Sequence, residues 1–336
     1  QWNFAGNGRG LSGRAGIREH MYFLGIDTSC YTTSVAVADA QGNIVLDRRT
    51  LLCVPEQARG LRQSEMVFQH IKNLSELFPQ GYTQIKAVAA STAPRPAEGS
   101  YMPVFRVAES FGKAAAYAAG AAFYALSHQH AHIGAAMLGT ELLFDGSFLA
   151  LHVSGGTTDV LQVSAEHNRI QSIQTLGQCS DITAGQLIDR IGVALGNAFP
   201  AGAAVSALAA EGEAAHLNFT IQGLNASFSG AETEVRRRLR QGMRPEDAAA
   251  TVLLYTAKIL NKLIERARQQ TGIERVLLFG GVMRSEWIRA YLQKKQQGLI
   301  FSGIDYASDN ACGLAVQAAL HYFYQERGTD NVSDNH

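Results

Sequence analysis

The feature that most constrains the fold of this chain is an internal repeat. Residues 23–43 and 148–168 align at a constant offset of 125 positions, and eight of the 21 aligned residues are identical. Each copy runs from an apolar stretch through a short polar turn into a second, alternating stretch, which is typical of a β-hairpin. A chance match is the alternative, but the shared order of structural signals favours two similar domains, each beginning with a hairpin.

Helical spacing follows each hairpin, and short apolar runs separate the helical segments. The sequence predicts helices at 64–78, 104–124, 183–195, 203–211, 247–270, 285–296 and 311–324, and strands at 85–91, 275–279 and 299–302. Strands that alternate with helices predict an α/β architecture with mostly parallel sheets. Ligands of such folds bind at the carboxyl ends of the strands, and we expect them in the cleft between the two halves.

The composition excludes several classes of protein. The 336 residues include 29 Lys plus Arg and 29 Asp plus Glu, and 46% are hydrophobic. A disordered chain, a collagen-like fibre and a coiled coil are therefore excluded. A net charge of zero argues against a free-standing nucleic-acid binder, so binding to RNA would require positive charge that is local or supplied by partners.

The cysteines and the ends of the chain set expectations about its location. Four scattered cysteines form no CxxC pair, which predicts a reduced, cytoplasmic protein. Residues 1–20 are rich in Gly and Arg without an apolar core, so we expect an extension without fold content rather than a secretory signal. The longest apolar stretch, 114–126, is too short to span a membrane. Residues 326–336 are expected to form a disordered tail.

The turns of the two repeated hairpins form the first candidate site. The second hairpin turns through Val153-Ser154-Gly155-Gly156-Thr157-Thr158, and the first turns through residues 27–33. Glycines let backbone N–H groups approach a phosphate closely, and two such turns across a cleft would suit a nucleoside triphosphate. An ordinary Gly-rich hairpin turn is the alternative.

A His-rich segment is the second candidate site. His128 and His132 are four residues apart, so on a helix they lie on one face and can share a metal ion, whereas His130 points away. A helix that happens to be rich in His is the alternative. His152 lies in an apolar strand, at the repeat position that Asp27 occupies in the first copy, and is a further candidate ligand or a structural His.

Three further segments carry chemistry or charge. Gly280 and Gly281 close an apolar strand before a helix, where they can admit a nucleotide or form a tight turn. Asp309 precedes the last helix, either as its N-cap or as the carboxylate that completes a His, His and Asp metal site. The arginine run between 236 and 244 is a solvated helix face or a phosphate-contact patch.

Together these segments resemble the TsaD family of tRNA threonylcarbamoyladenosine transferases, from about residue 21 to residue 324. The chain has LGIDTSCYTTSVAV at 24–37 for the family's LGIETSCDETGVAV, His128 and His132 for HxxxH, 151–157 for LxVSGGxT, 183–189 for AAGExFD, 199–203 for YPGGP, 226–233 for FSFSGLKT, 279–285 for AGGVSAN and 307–313 for CTDNGAM.

The resemblance implies an actin-like ATPase fold, related to Hsp70 and sugar kinases, that is built from two duplicated domains. We expect these domains at 21–147 and 148–308, with a C-terminal helix at 309–325 that returns to the first. The resemblance also implies one iron or zinc ion on His128, His132 and Asp309, with His152 at the position where some members add a Tyr. Asp27 keeps an acid at the family's Glu position and is the candidate catalytic residue if it reaches the place of the family's acidic pair. ATP or threonylcarbamoyl-AMP would bind at Val153, Ser154, Gly155, Gly156, Asp189, Gly202, Gly280, Gly281 and Ser285.

The implied activity is transfer of a threonylcarbamoyl group from its adenylate to N6 of an adenosine in tRNA. TsaB-like and TsaE-like partner proteins and a homo- or heterodimer are expected with it. The family's acidic pair in SCDET is Tyr31-Thr32 here, and its Gly-Pro-Gly is Pro94-Arg95-Pro96, which indicates a divergent paralogue. The alternatives are a non-catalytic nucleotide-binding scaffold and a related carbamoyl or phosphoryl transferase. A metalloprotease is disfavoured because HxxxH lacks the Glu of HExxH.

Overall fold

The computed structural model of the chain describes residues 20–29, 31–55, 61–140, 142–303 and 310–333, with side chains to residue 326. Most of the predicted extension, Asp309 and the last three residues of the predicted tail lie outside the described residues. The chain divides into two compact units: unit 1 is Gln1–Asp145, Ala165–Gln171 and Asp309–His336, and unit 2 is Gly146–Ser164 and Ser172–Ser308.

Strands and helices alternate along most of the chain. The strands are β1 (Tyr22–Thr28), β2 (Thr32–Asp39), β3 (Ile44–Leu51), β4 (Ile85–Ala93), β5 (Ala122–Ser127), β6 (Gly146–Val153), β7 (Thr158–Glu166), β8 (Arg169–Gln178), β9 (Ile221–Gln222), β10 (Asn225–Ala226), β11 (Val276–Phe279) and β12 (Leu299–Phe301). The helices are α1 (Gln63–Leu77), α2 (Phe105–Ala119), α3 (His128–Leu138), α4 (Ala184–Ala194), α5 (Gly202–Ala209), α6 (Ser229–Arg240), α7 (Pro245–Thr271), α8 (Glu286–Lys295) and α9 (Cys312–Ser333).

The sheets repeat one topology. Within the described ranges, one five-stranded sheet has the order β3-β2-β1-β4-β5, and the other has the equivalent order β8-β7-β6-β11-β12. The leading strand of each sheet, β1 or β6, has a parallel neighbour from later in its half, β4 or β11. The predicted α/β fold with a duplicated, hairpin-led plan is confirmed.

The first sheet buries two different faces. Because successive side chains of a strand point to opposite sides, Leu24 and Ile26 of β1 pack with Leu74 of α1 and Ala108 of α2. The other side of β1 faces α9, where Phe23 packs on Phe323 with ring centroids 5.4 Å apart. Asp27 shares this second side, so its carboxylate is directed toward the side of the sheet that α9 covers.

The helix predicted at 104–124 is wrong in its second part. Helix α2 ends at Ala119 because Gly120 adopts a left-handed conformation, with φ +61°, and donates its N–H back to Ala116 and Tyr117. Glycine takes this conformation without a Cβ penalty and commonly ends helices. Strand β5 follows at Ala122, and its end leads directly into α3.

Two further differences concern the sequence-based element bounds. The third strands β3 and β8 extend the predicted hairpins, and their alternation is weak because most residues of β3 and half of those of β8 are exposed. Helix α9 continues to Ser333, so residues 326–333 of the expected tail are helical.

No helix in the described part of the chain has both the length and the apolar composition needed to cross a membrane.

Candidate metal and nucleotide sites

Helix α3 carries both histidines of the HxxxH segment, and a capping box closes its first turn. Ser127 is the N-cap: its Oγ accepts the backbone N–H of His130, and its own N–H donates to Nδ1 of His130, both at 3.3 Å. Since a backbone N–H only donates, Nδ1 of His130 is unprotonated. Burial, and then the nearby His321, lower the pKa of His130 to about 4. His130 therefore stays neutral and supports the start of the helix rather than joining the pair.

His128 and His132 come together as their spacing predicts. Nε2 of His132 lies 3.0 Å from Nε2 of His128, and their ring centroids are 4.4 Å apart. Nδ1 of His128 lies 2.9 Å from Oδ1 of Asp27 at the end of β1. The contact follows from the topology, since β1, β4 and β5 are parallel neighbours and their carboxyl ends meet at one edge of the sheet.

These contacts place the ring protons. A carboxylate oxygen accepts hydrogen bonds, so Nδ1 of His128 donates to Asp27, and Nε2 of His128 keeps a lone pair that accepts the Nε2–H of His132. A carboxylate that orients a histidine in this way is typical of metal sites. Two tetrahedral ligands at ordinary zinc–nitrogen distances are separated by roughly 3.3 Å, close to the 3.0 Å between the two Nε2 atoms. A single metal ion held by both Nε2 atoms would replace the proton between them, and the spacing of the pair fits one.

Unsatisfied oxygens surround Asp27. Its Oδ2 and the hydroxyls of Ser34 and Ser91 are buried and have no hydrogen-bond partner in the described part of the chain. Ser34 pairs with Asp27 across β1 and β2, and Ser91 follows the residue of β4 that pairs with Ile26. An unsatisfied buried polar group costs about 1–3 kcal/mol. Such a cost is expected at a functional site that a ligand or water completes.

Two glycines allow the start of α9 to pack closely against α3, which carries the His pair, and against β1, which carries Asp27. A Cβ on Gly313 would lie 2.1 Å from the carbonyl oxygen of Ala131, and a Cβ on Gly25 would lie 2.4 Å from that of Ala311. Only glycine permits so close an approach of two backbones. Asp309, the expected third ligand, precedes α9 by three residues in the sequence and lies outside the described residues.

His321 of α9 makes unit 1 sensitive to acid. Its ring packs on Tyr124 with centroids 5.1 Å apart, and burial, then the charge of Arg169, lower the pKa of His321 to about 4. In the unfolded chain the pKa returns to about 6.5. As the pH falls from 6.5 toward 4, the unfolded state binds the proton first, so stability present above pH 6.5 is lost across this window.

We expect the free energy of unfolding to fall more steeply with acid in the wild type than in His321→Gln. The difference should reach up to about 1.4 kcal/mol per pH unit between pH 6.5 and 4. Urea unfolding at a series of pH values measures both slopes. Equal slopes would show that the pKa of His321 is the same in the folded and the unfolded protein.

In unit 2, the predicted nucleotide loop lies between β6 and β7, against the start of α4. Ser154 and Thr157 close the loop through Ser154 N–H to Thr157 O at 2.8 Å and Thr157 N–H to Ser154 Oγ at 3.1 Å. Thr183, the N-cap of α4, donates from Oγ1 to the carbonyl of Gly155 at 2.8 Å. An added Cβ on Gly155 or Gly156 would meet nothing within 4 Å, and neither has a positive φ. Neither packing nor backbone conformation requires these glycines, which suits a ligand that approaches the backbone closely.

The glycine pair after β11 lies at the same edge of the second sheet. Val153 ends β6 and Gly280 directly follows β11, the parallel neighbour of β6. A Cβ on Gly280, with φ +99°, would lie 2.5 Å from the carbonyl oxygen of Val153. Gly280 is therefore required by the fold. Gly281 has free space where its Cβ would be and begins a short 3₁₀ turn at Gly281–Arg284.

The other predicted nucleotide residues have structural partners. Oδ1 of Asp189 accepts the N–H of Ala201 at 2.8 Å, which holds the start of α5, where Gly202 is the first residue. Ser285 is the N-cap of α8, and its Oγ lies 3.3 Å from that of Ser206. These contacts shape the surroundings of the loop, and contact with a nucleotide stays a prediction.

His152 has a partner that the sequence did not indicate. It is buried in β6 opposite Phe279 of β11, and the two rings stack with centroids 4.7 Å apart and an interplanar angle of 16°. Among the described residues, no three or more His, Cys, Asp or Glu side chains form a group that could hold a metal ion. The stacking favours a structural role for His152, and its role as a ligand stays a prediction.

Sequence reasoning missed the contacts that orient the His pair. Asp27 and His128 are 101 residues apart, and no local pattern shows that their strands meet at one edge. Ser127 did carry a signal, because Ser directly before a helical segment is a typical N-cap. His70 of α1 also went unnoticed, although it is fully buried with Nδ1 2.8 Å from the hydroxyl of Thr33 in the first hairpin.

Comparison with known proteins places the chain among transferases. A profile of the TsaD family, described as tRNA N6-adenosine threonylcarbamoyltransferase, matches residues 54–316. Curated proteins of that name from Methanopyrus kandleri and Geobacillus kaustophilus are similar. The first is 29% identical over 272 residues, which cover 78% of this chain and 75% of the relative. The second is 28% identical over 335 residues, which cover 92% of this chain and 94% of the relative.

Solved structures share the actin-like ATPase fold. HypF from T. kodakarensis superposes with a TM-score of 0.60 at 14% identity, over 92% of this chain and 48% of that one. The activator of the 2-hydroxyisocaproyl-CoA dehydratase from Clostridium difficile, with bound ADPNP, gives 0.52 at 15% identity, over 92% and 98% of the two chains. These likenesses establish the fold, and the profile establishes the family. The chain belongs to the TsaD family of tRNA N6-adenosine threonylcarbamoyltransferases.

Proposed function

We propose that this chain is a metal-dependent transferase that moves a threonylcarbamoyl group from its adenylate to N6 of an adenosine in tRNA. The observation that carries the proposal is the convergence of His128 and His132, with Nε2 atoms 3.0 Å apart, beside the buried carboxylate of Asp27. Relatives named for this transfer support it.

Nε2 of His128 and Nε2 of His132 would hold the metal, with Asp309 as the expected third ligand. Asp27, which the sequence suggested as a catalytic acid, would instead orient His128 through Nδ1. An iron or zinc ion, when bound, supplies Lewis acidity toward a carbonyl oxygen. Asp27 and the capped start of α3 hold the two rings in place before the ligand arrives, which reduces the cost of ordering them.

The loop through Ser154, Gly155 and Gly156 would bind the phosphate of the adenylate. Its open glycines allow backbone N–H groups to contact phosphate oxygens, and Thr183 fixes the loop through the carbonyl of Gly155. Binding there would orient the bond between the phosphate oxygen and the carbonyl carbon, which must break. Orientation of this kind is the main contribution expected of residues that do not themselves react.

The reaction forms one bond and breaks one. The N6 amine of the adenosine attacks the carbonyl carbon of the threonylcarbamoyl group, and a C–N bond forms. The bond between that carbon and the phosphate oxygen breaks, so AMP leaves with the electron pair, and the amine loses one proton to water. Donors fixed in advance stabilise the charge that develops on the carbonyl oxygen and on the leaving phosphate.

A transfer assay tests the proposal. The full chain, alone and with TsaB-like and TsaE-like partners, is mixed with tRNA and threonylcarbamoyl-adenylate, and the digested nucleosides are identified by mass spectrometry. We expect a threonylcarbamoyl-modified adenosine, absent when the acceptor adenosine of the tRNA is replaced. No product with any set of partners would contradict the proposal.

A non-catalytic nucleotide-binding subunit is the second candidate. The observation in its favour is Tyr31-Thr32, which stands where the family motif has its two acidic residues. Tyr31 is exposed and Thr32 is buried. Neither side chain has a carboxyl group, so this turn lacks the two acidic groups of the family motif. Such a subunit would bind ATP, give no modified nucleoside, and restore activity to a separate enzyme when added to it.

A further inference from the structure

We infer that one surface of unit 2 binds a single-stranded loop of RNA, an inference that rests on the proposed function because it names how the acceptor docks. This surface, called here the RNA face, is formed by the exposed arginines of α6 and by α4 with the loop that follows it. Its members are Arg190, Val193, Phe199, Arg236, Arg237 and Arg240.

The first observation is the local charge. Helix α6 contains four arginines against two glutamates, a net charge of +2, in a chain whose net charge is zero. Arg236, Arg237 and Arg240 are exposed on α6. Arg240 makes no ion pair within the part of the chain that the structure describes. Positive charge concentrated on one helix of a neutral protein is a typical footprint of a phosphate backbone.

The second observation is that the arginines are held in place. Glu232 bridges Arg190 and Arg236, with nitrogen–oxygen distances of 3.0 Å to each, and Nη2 of Arg236 donates to the carbonyl of Arg190 at 3.2 Å. These contacts join α6 to α4. Glu234 similarly holds Arg237 at 2.7 Å. The ion pairs neutralise two charges and hold the guanidinium groups of Arg190 and Arg236 together where α4 contacts α6.

The third observation is an aromatic side chain presented by an anchored loop. Phe199 is 75% exposed. On one side the loop is fixed by Asn197, whose N–H and Nδ2 both donate to the carbonyl of Gly192, at 3.1 and 3.0 Å. On the other side Asp189 accepts the N–H of Ala201 at 2.8 Å. A loop anchored at both ends keeps the ring of Phe199 in solvent.

An exposed ring on the loop that follows α4, together with fixed cations on α4 and α6, matches single-stranded RNA more closely than duplex RNA or a protein. Unpaired bases stack on aromatic side chains while arginines contact the backbone, whereas a duplex keeps its bases stacked inside. Asp189 and Gly202, predicted to lie near the nucleotide, flank the loop that carries Phe199. The acceptor adenosine and its neighbours would thus dock beside the adenylate.

Equilibrium binding of a labelled RNA stem-loop, with an unpaired adenosine in its loop, to the full chain tests the role of Phe199 and is measured by fluorescence anisotropy. We expect Phe199→Ala to weaken binding about 10-fold or more and Phe199→Tyr, which keeps a stacking surface, to bind nearly as tightly as the wild type. Tyr117→Ala removes another highly exposed aromatic ring, in α2 of unit 1, and should have no effect. No measurable binding by the wild type, or equal losses in the Phe199→Ala and Tyr117→Ala variants, would overturn the inference.

The salt dependence of the same binding tests the arginines. Loss of two phosphate contacts in the Arg237→Ala, Arg240→Ala double variant should reduce the slope of log affinity against log salt by about 1.4. Lys294→Ala, Lys295→Ala removes the same charge from the exposed end of α8 and should leave the slope unchanged. Equal slopes in the two double variants would contradict the inference. The assay contains no adenylate, so failure of transfer alone does not affect its outcome.

Discussion

Replacement of His132 by alanine is expected to remove the metal and abolish transfer. The variant loses one of two nitrogens that lie 3.0 Å apart, and a site with few protein ligands does not keep its ion when one is lost. Metal content measured by mass spectrometry after dialysis should fall from about one ion per chain to a trace. Urea unfolding of the metal-free proteins should show similar stability, because the imidazole is removed and the helix is kept.

The matched control is His216→Ala, which removes an exposed histidine of unit 2 and should keep both metal and activity. Asp27→Asn should give an intermediate result, since it removes the charge that orients His128 and leaves both ligands. Loss of such a partner typically weakens metal binding about 10- to 100-fold. Full metal content in His132→Ala would show that the ion is bound elsewhere.

The second large effect is expected from Gly313→Ala. The new Cβ would lie 2.1 Å from the carbonyl oxygen of Ala131 and 2.5 Å from the backbone nitrogen of Ala135. Both atoms belong to the backbone of α3, so relief requires that the whole helix moves away from α9. We expect a loss of about 3 kcal/mol in the free energy of unfolding, measured by urea titration, and weaker metal binding because α3 carries both histidines.

Gly230→Ala serves as the control for this substitution. Gly230 lies in the first turn of α6, and its added Cβ would meet nothing within 4 Å. Alanine there should change stability by less than about 1 kcal/mol and in the stabilising direction. If Gly313→Ala were equally well tolerated, α9 would not be locked to α3 in the way described.

The repeat in the sequence predicted the fold to an unusual extent. Eight identities between two hairpins indicated a duplicated plan, and both sheets have the same strand order. The spacing of His128 and His132 predicted that they share a helix face, since an i, i+4 pair depends only on helix geometry. Such features are local, or are repeated along the chain, and can therefore be read without the fold.

Features that depend on neighbouring strands could not be predicted in this way. The apolar residues of β5 continue the helical spacing of α2, and only the conformation of Gly120 separates the two elements. The contact between Asp27 and His128 depends on the order of the strands. The stacking of His152 on Phe279 depends on the register of β6 and β11. Each requires knowledge of which strands are adjacent, which no local sequence pattern contains.

The most direct test of the account is a single-turnover transfer assay that compares the wild type with the His128→Ala, His132→Ala double variant. Each is loaded with threonylcarbamoyl-adenylate and mixed with tRNA and the same partner proteins, and modified adenosine and AMP are measured together. The account predicts equal amounts of the two products from the wild type and none above background from the variant. Equal product formation by both proteins would show that the chemistry belongs to a partner and not to this chain.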